Sequence, residues 1–334
     1  MSNQKRIQIL EFIREKQPIP ASEIYAEFNM GESTIRKYLK HLVDDNLAIT
    51  IGTGKATRYS ISPNYELLAP IDMVEYYEKD EDEREGKESF NHDLISDVLQ
   101  DAVLFTKEEL DQLKALQAKY TKSVESVDED IYKKRMEVFA IDLIWKSSEI
   151  EGNTYSLLET EALIKQMELA EGKSKEEAIM LLNHKKALDF ITADLDYLKT
   201  ITLQKTITIH TLLTTDLGIN QNIRQTGVGI TGTKYKPLAL ETQIMEALEQ
   251  TNNLVNSKKN IFEKALLLLA LVSYIQAFND GNKRTARILS NALLLSEGYC
   301  PLSFRTVKSV DYKKAMLLFY EQNNISELKK MFIE

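Results

Sequence analysis

The chain has 334 residues, 43% of them hydrophobic and 28% charged, with a net charge of −9 and a single cysteine, Cys300. This composition is that of a globular protein with room for two domains, and it excludes a disulfide framework and a cysteine-based metal cluster. No apolar run reaches the roughly 18 residues of a membrane span, and the opening "MSNQKRIQIL" lacks the apolar core and cleavage site of a signal peptide. Together these predict a cytoplasmic protein with no membrane partner.

Charge is spread unevenly. Residues 1–63 carry nine Lys/Arg against seven Asp/Glu, whereas residues 72–93 carry three Lys/Arg against ten Asp/Glu. The chain thus divides into a mildly basic head over 1–63, an acidic linker over 64–95 and a body over 96–334. In the head, Ile7, Leu10, Phe12 and Ile13 recur at helical spacing. A short helix "ASEIYAEF" follows, then a third, "STIRKYLKHLVDDN", with Ser33 in N-cap position. The pair "LAITI" and "TRYSI" around "GTGK" reads as a hairpin. Helix, helix, helix, hairpin is the order of a small α+β winged helix-turn-helix domain. Its third helix would bury Ile35, Tyr38, Leu39 and Leu42 and present Arg36, Lys37 and Lys40, with Lys55 and Arg58 on the wing. Those cations suit DNA phosphates, or form the solvated face of a protein-binding domain.

The acidic strip "EYYEKDEDEREGKESF" reads as a charged helix or a solvated connector. From about residue 96 the pattern is almost wholly helical, and only Pro237 and Pro301 occur beyond residue 70. "RQTGVGITGTKYKP" (224–237) breaks that pattern: Val228, Gly229 and Ile230 lead into a Thr-Gly-Thr turn, the signature of a β-hairpin. Two strongly apolar helices, "FEKALLLLALVSYIQAF" and "TARILSNALLLSEGY", flank a polar turn, and the second stops at Gly298.

That turn runs Gln276-Ala-Phe-Asn-Asp280-Gly281-Asn282-Lys283-Arg284-Thr-Ala-Arg287. Backbone N–H groups at a Gly-Asn helix start can converge on an anion. Arg284 and Arg287 lie three apart and share the first turn, where both can reach one phosphate. Asp280 can hold Mg²⁺ through a single carboxylate, as phosphate sites commonly do. The residues predict a nucleotide-phosphate site with Mg²⁺.

The same segment resembles the Fic/Doc signature His-x-Phe-x-(Asp/Glu)-Gly-Asn-(Gly/Lys)-Arg-x-x-Arg, matching every defined position except the first. The resemblance covers roughly residues 96–310 and implies a mainly α Fic-type bundle. Members mostly transfer AMP from ATP to a hydroxyl of a target protein. It implies that Phe278 anchors the loop, and that Asp280 binds Mg²⁺. Gly281, Asn282 and Lys283 would form the anion hole, and Arg284 and Arg287 would hold the phosphate tail. "SSEIEGN" matches the family's inhibitory pattern as Ser147, Glu151 and Gly152, near the end of a helix over about 130–152. In relatives that glutamate pairs with the last arginine of the signature, here Arg287. The 224–237 hairpin resembles the flap that holds a target, another protein or the chain itself, by strand addition.

The departure falls on the catalytic position, where the family histidine is Gln276. An amide does not take up a proton near neutral pH, and loss of a positioned base costs about 10²- to 10⁴-fold in rate. None of His41, His92, His184 and His210 lies in the turn, and the last two fit packed or capped roles in helices. Lys283 is the residue of the phosphotransferring Doc branch, but retention of Arg287 favours AMP transfer. Three readings remain: a self-inhibited adenylyltransferase scaffold slowed by Gln276, an ATP-binding regulator acting through its winged helix, and a DNA-binding protein whose body only dimerises.

Overall fold

The computed structural model describes residues 3–334. The head comprises α1 (Asn3–Lys16), β1 (Ile19–Pro20), α2 (Ala21–Phe28), α3 (Glu32–Asp44), β2 (Ala48–Ile51) and β3 (Arg58–Ile61). Its antiparallel sheet has the order β1-β3-β2, with Thr50 opposite Tyr59 and Ile19 opposite the same residue on the other edge. Ile35, Tyr38, Leu39 and Leu42 of α3 are buried against α1, as their spacing predicts. Two details differ. On α1 the inward position is taken by Ile9, and Ile7 is exposed, because Ile9, Leu10 and Ile13 form the narrower stripe. On α3 the helix begins one residue before Ser33, with Gly31 as N-cap and no side-chain cap bond; Gly31 O accepts from the Thr34 and Ile35 amides instead.

The acidic strip folds against the rest of the chain. It holds α4 (Tyr65–Leu68) and α5 (Met73–Glu78), with Asp72 capping α5 through the Val74 and Glu75 amides. Its aromatic residues and Arg84 turn inward while most of its carboxylates remain in water, the arrangement of an amphipathic segment.

The body consists of α6 (Lys107–Glu125), α7 (Glu129–Ile150), α8 (Leu157–Gln166), α9 (Lys175–Ala193), α10 (Leu203–Thr214), α11 (Glu241–Ser257), α12 (Ile261–Ile275), α13 (Asn282–Ser296), α14 (Ser309–Gln322) and α15 (Ser326–Ile333). Capping boxes start α6, α8 and α9 at Thr106, Ser156 and Ser174, each answered by a glutamate three residues on. At the centre α12 and α13 pack along each other, both almost wholly buried, with Ser290 Oγ donating to Ala265 O at 2.9 Å. Gly298 follows α13 at φ +71°, and the Tyr299 amide closes back on Leu294 O at 2.8 Å. Around this pair stand α7, α9, α10, α11 and α14. No helix among the described residues is long and apolar enough to cross a membrane.

The segment 224–237 does not form the expected hairpin ladder. It reverses at Thr231–Gly232, but among the described residues its two arms share no strand pairing. Its outer arm is drawn elsewhere. Tyr235 is buried and stacks on Tyr274 at 4.8 Å, and Lys236 pairs with the acidic strip, its amide donating to Glu88 O at 2.9 Å. The inner arm, with Gly227 and Gly229 on either side of Val228, has little side chain to pack against a second strand.

Candidate functional site

Helix α12 stops because Gln276 turns left-handed at φ +50°, and α13 starts because Gly281 does so at φ +82°. Between them the loop is pinned from both sides. Phe278 is fully buried and lies flat on the His210 ring of α10, centroids 3.6 Å apart. His210 Nε2 donates to the Asp280 carbonyl at 2.9 Å. Burial pushes the His210 pKa down to about 4, although the bond to Asp280 opposes the shift, so the ring is a neutral support near pH 7. Asn282 binds the loop internally, donating to Phe278 O at 2.7 Å and accepting from the Phe278 amide at 2.9 Å.

Gly281 is needed on two counts. Its φ lies where side chains are strained, and a Cβ would stand 3.0 Å from Thr214 Cγ2 and 3.3 Å from His210 Cδ2. Gly281→Ala should therefore cost about 1–2 kcal/mol from the backbone alone, read as a lower urea midpoint. An unchanged midpoint would show that Gly281 is not held in the left-handed conformation.

The first turn of α13 carries the cations. Arg284 and Arg287 are both buried. Arg284 Nη2 reaches Asp280 Oδ2 at 3.0 Å, while its Nε and Nη1 are buried without partners among the described residues. Arg287 donates from Nε to Ser147 Oγ at 2.7 Å and from Nη2 to Ser147 O at 2.9 Å. Its Nη2 also meets Glu151 Oε1 at 2.7 Å, and its guanidinium lies over the Tyr312 ring. The second carboxylate oxygen of Glu151 meets Lys283 Nζ at 3.1 Å. Burial would raise the Glu151 pKa, but Arg287 and Lys283 outweigh it and hold the carboxyl at about 2. Glu151 is thus ionised and spans both cations, at the point where Gly152 (φ +101°) ends α7.

Gln276 Nε2 donates to Ser273 O at 2.7 Å, with the Tyr320 hydroxyl at 3.4 Å, and its Oε1 accepts from Asn282 at 3.1 Å. Both ends of the amide are engaged, one by α12 and the other by the first residue of α13. Beside it a cavity of 440 Å³ opens between Gly281–Lys283 and the inner arm of the 224–237 segment, with Ile230, Met316 and Tyr320 on its far wall. Gly229 and Ile230 line it, and Val228 is half-buried close by. The exposed Asp280 carboxylate faces it.

The unpartnered donors of Arg284 and the Nη1 of Arg287 suit phosphate oxygens. No group of three or more His, Cys, Asp or Glu among the described residues could cage a metal. Asp280 alone, with phosphate oxygens, fits a Mg²⁺ site of the one-carboxylate kind.

Of the residues expected from the motif, Gln276, Asp280, Gly281, Asn282 and Lys283 line this cavity together with Glu151. Phe278, Arg284 and Arg287 are buried and, like Ser147 and Gly152, do not line it. The head residues stand elsewhere. Arg36, Lys37 and Lys40 are exposed on α3 and Arg58 on β3, while the side chain of Lys55 lies outside the described ones. Arg36 is shared with Tyr25 and Glu32. Sequence reasoning missed three supports: the role of His210, the Lys283–Glu151 contact, and Arg224. The last is buried, donates to Gln276 O and Thr226 O at 2.6 Å each, and ties the base of the 224–237 segment to the loop. A lone arginine beside a glycine-rich stretch carries no signal of such a role.

The site is thus a central helix pair joined by a loop that ends on a left-handed glycine, with two buried arginines in the first turn of the second helix. Residues 200–294 match the Fic/DOC family, and residues 3–50 match the bacterial regulatory protein, arsR family. The chain therefore carries a Fic/DOC domain behind an arsR-type helix-turn-helix. It is 30% identical over 190 residues to the "Protein adenylyltransferase Fic" of Culex quinquefasciatus, covering 54% of this chain and 37% of the relative. The protein of that description from Nematostella vectensis is 30% identical over 174 residues, covering 51% and 40%. This chain thus spans two fifths or less of either relative. In fold it is similar to Caenorhabditis elegans Fic-1, residues 134–508, with a TM-score of 0.57 at 19% identity over 68% of this chain and 67% of that one. A Fic domain containing signaling protein from Bacteroides thetaiotaomicron gives 0.54 at 20% identity, over 66% and 92%.

Proposed function

We propose that the chain is a Fic-type protein adenylyltransferase scaffold, self-inhibited by Glu151 and slowed by Gln276. The observation that carries the reading is the position of Glu151, which occupies Arg287 and Lys283 at the mouth of a cradle otherwise equipped for a triphosphate. In the transfer, a target hydroxyl oxygen bonds to the α-phosphorus of ATP. The bond from that phosphorus to the bridging oxygen breaks, and pyrophosphate leaves. Arg284, Arg287 and the amides at the start of α13 hold the phosphates in line. A Mg²⁺ ion held by Asp280 would neutralise phosphate charge. The inner arm over 227–230, whose main-chain groups have no partner among the described residues, would align an extended target beside Gln276. Gln276 offers no basic atom, so the hydroxyl proton leaves to water and the step is slow.

A second reading is favoured by Gln276 itself. Its amide is a strut between Ser273 O and Asn282, which suits a protein that binds ATP and acts through its helix-turn-helix on DNA or a protein partner. Both readings require nucleotide in the cradle. Calorimetry with Mg²⁺-ATP should show binding that tightens by about tenfold in Glu151→Gly, equal to about 1.4 kcal/mol, because the competing carboxylate is gone. Absence of heat in both forms would remove the nucleotide site.

A further inference from the structure

The last turn of α14 and the residues after it are spoken for one by one. The Tyr320 hydroxyl reaches Gln276 of the loop at 3.4 Å. Glu321 receives Arg84 at both oxygens, 3.0 and 3.1 Å, and the Tyr76 hydroxyl at 2.6 Å. Gln322 donates to the Tyr76 hydroxyl at 3.1 Å and also to Glu85 O. Asn323 Oδ1 accepts from Asn91 at 2.9 Å. Asn324 Nδ2 donates to Glu66 O and Ala69 O at 2.8 Å each, and the Ile325 amide closes on Leu67 O at 2.8 Å.

These contacts reach three places. Glu66–Ala69 lies a few residues beyond the end of β3, and α4 is tied back to the head through Ser62, whose O accepts from the Tyr65 amide at 3.0 Å and whose amide donates to Leu47 O at 3.1 Å. The acidic strip is in turn wired to the segment 224–237: Arg84 Nη2 donates to Gly232 O at 2.5 Å, and Lys234 Nζ to Asp82 O at 3.2 Å. Lys236 pairs with Ser89. Arg84 and Glu321 are both buried, so the pair cannot be exchanged for water without leaving an uncompensated charge. A single helix end therefore touches the loop and the linker helix α4 directly, and reaches the flap through Arg84.

We infer that Tyr320–Asn324 couples the helix-turn-helix head to the flap and the nucleotide loop, so that loosening the head loosens the flap, and a ligand ordering the loop steadies the head. The effect is reciprocal, since a coupling free energy belongs to both sites. The nucleotide half of this inference rests on the proposed reading of the cradle; the mechanical half does not.

Hydrogen exchange read by mass spectrometry on the full chain tests it. Asn324→Ala, in protein without nucleotide, should speed exchange over residues 66–69 and also over Tyr235 and Lys236, the bonded amides of the flap, by about 3- to 10-fold. Helix α11, which takes no part in the junction, should be unaltered. Flap exchange that stays at the parent rate overturns the coupling, as does a rise shared equally by α11. If Asn324→Ala fails to fold, Glu321→Gln serves, since it keeps the shape and removes the charge facing Arg84; the same two segments should then exchange faster. In the parent chain, saturating Mg²⁺-ATP should slow exchange over β2 and β3 of the head as well as over 66–69 and the flap. Protection that stops at the flap overturns transmission to the head. If calorimetry shows no nucleotide binding, the cradle reading fails, and the substitution arm alone decides the coupling.

Discussion

Replacing Gln276 by histidine and Glu151 by glycine in one chain should raise transfer of α-labelled AMP onto protein by about 10²- to 10⁴-fold, the usual worth of a positioned base. The two changes act on different steps. Gln276→His supplies a group that can take the hydroxyl proton, at the C-terminus of α12 where the left-handed turn aims the side chain at the cavity. Glu151→Gly frees Arg287 and Lys283 for phosphate oxygens. Gln276→His alone should label weakly, because the carboxylate still occupies the cations. The parent should label at the limit of detection. Equal labelling by all three forms would mean that position 276 does not supply the base. Strong labelling by Gln276→His alone would mean that Glu151 does not restrain the site.

Arg287→Met should be the most destabilising single change near the cradle, by about 3–5 kcal/mol, the usual cost of stripping one partner from a buried ion pair. Arg287 is fully buried and serves Ser147 Oγ, Ser147 O and Glu151 Oε1, so methionine leaves three acceptor oxygens short of a donor. Lys283 still faces Glu151 and offsets part of that loss. The chain's one tryptophan, Trp145, lies two residues before Ser147 on α7 and donates to Tyr155 O at 3.2 Å, so its fluorescence follows this region in urea. A shift below about 1 kcal/mol, the range of exposed ion pairs, would sink the argument that the pair is buried.

The pH dependence follows from the same contact. The Glu151 pKa is lowered on folding, from an ordinary 4.5 to about 2. Its contribution is therefore complete above about pH 4.5 and is lost as pH falls towards 2. His184 and His210 have pKa values lowered by burial, so they withdraw stability earlier, as pH drops below 6.5, where the unfolded chain begins to take protons. In Arg287→Met the loss between pH 4.5 and 2 should flatten, while the loss below 6.5 persists.

The candidate site was legible as a cluster of residues because its parts are contiguous. Asp280 to Arg287 is eight residues of one loop and one helical turn, where spacing alone brings side chains together. The head was legible for a similar reason, since its helices and hairpin follow one another and carry clear periodicity. The 224–237 segment was misjudged as a self-paired hairpin, because turn chemistry reports where a chain reverses and not what its arms meet. Tyr235 prefers the aromatic stack on Tyr274, and the strip supplies the main-chain partner.

What the sequence determined by itself is the chemistry on offer: a glycine-started helix, two arginines, one carboxylate, and an amide where a base would stand. Only the tertiary structure decided how these groups are restrained. Lys283 turns to Glu151 across 132 residues of chain, His210 supports Asp280 from 70 residues away, and Arg84 finds Glu321 from 237. Periodicity says which face of a helix is buried, but the partner of a buried charge is set by which helices pack side by side. That choice is made by the whole core at once, and no local pattern records it.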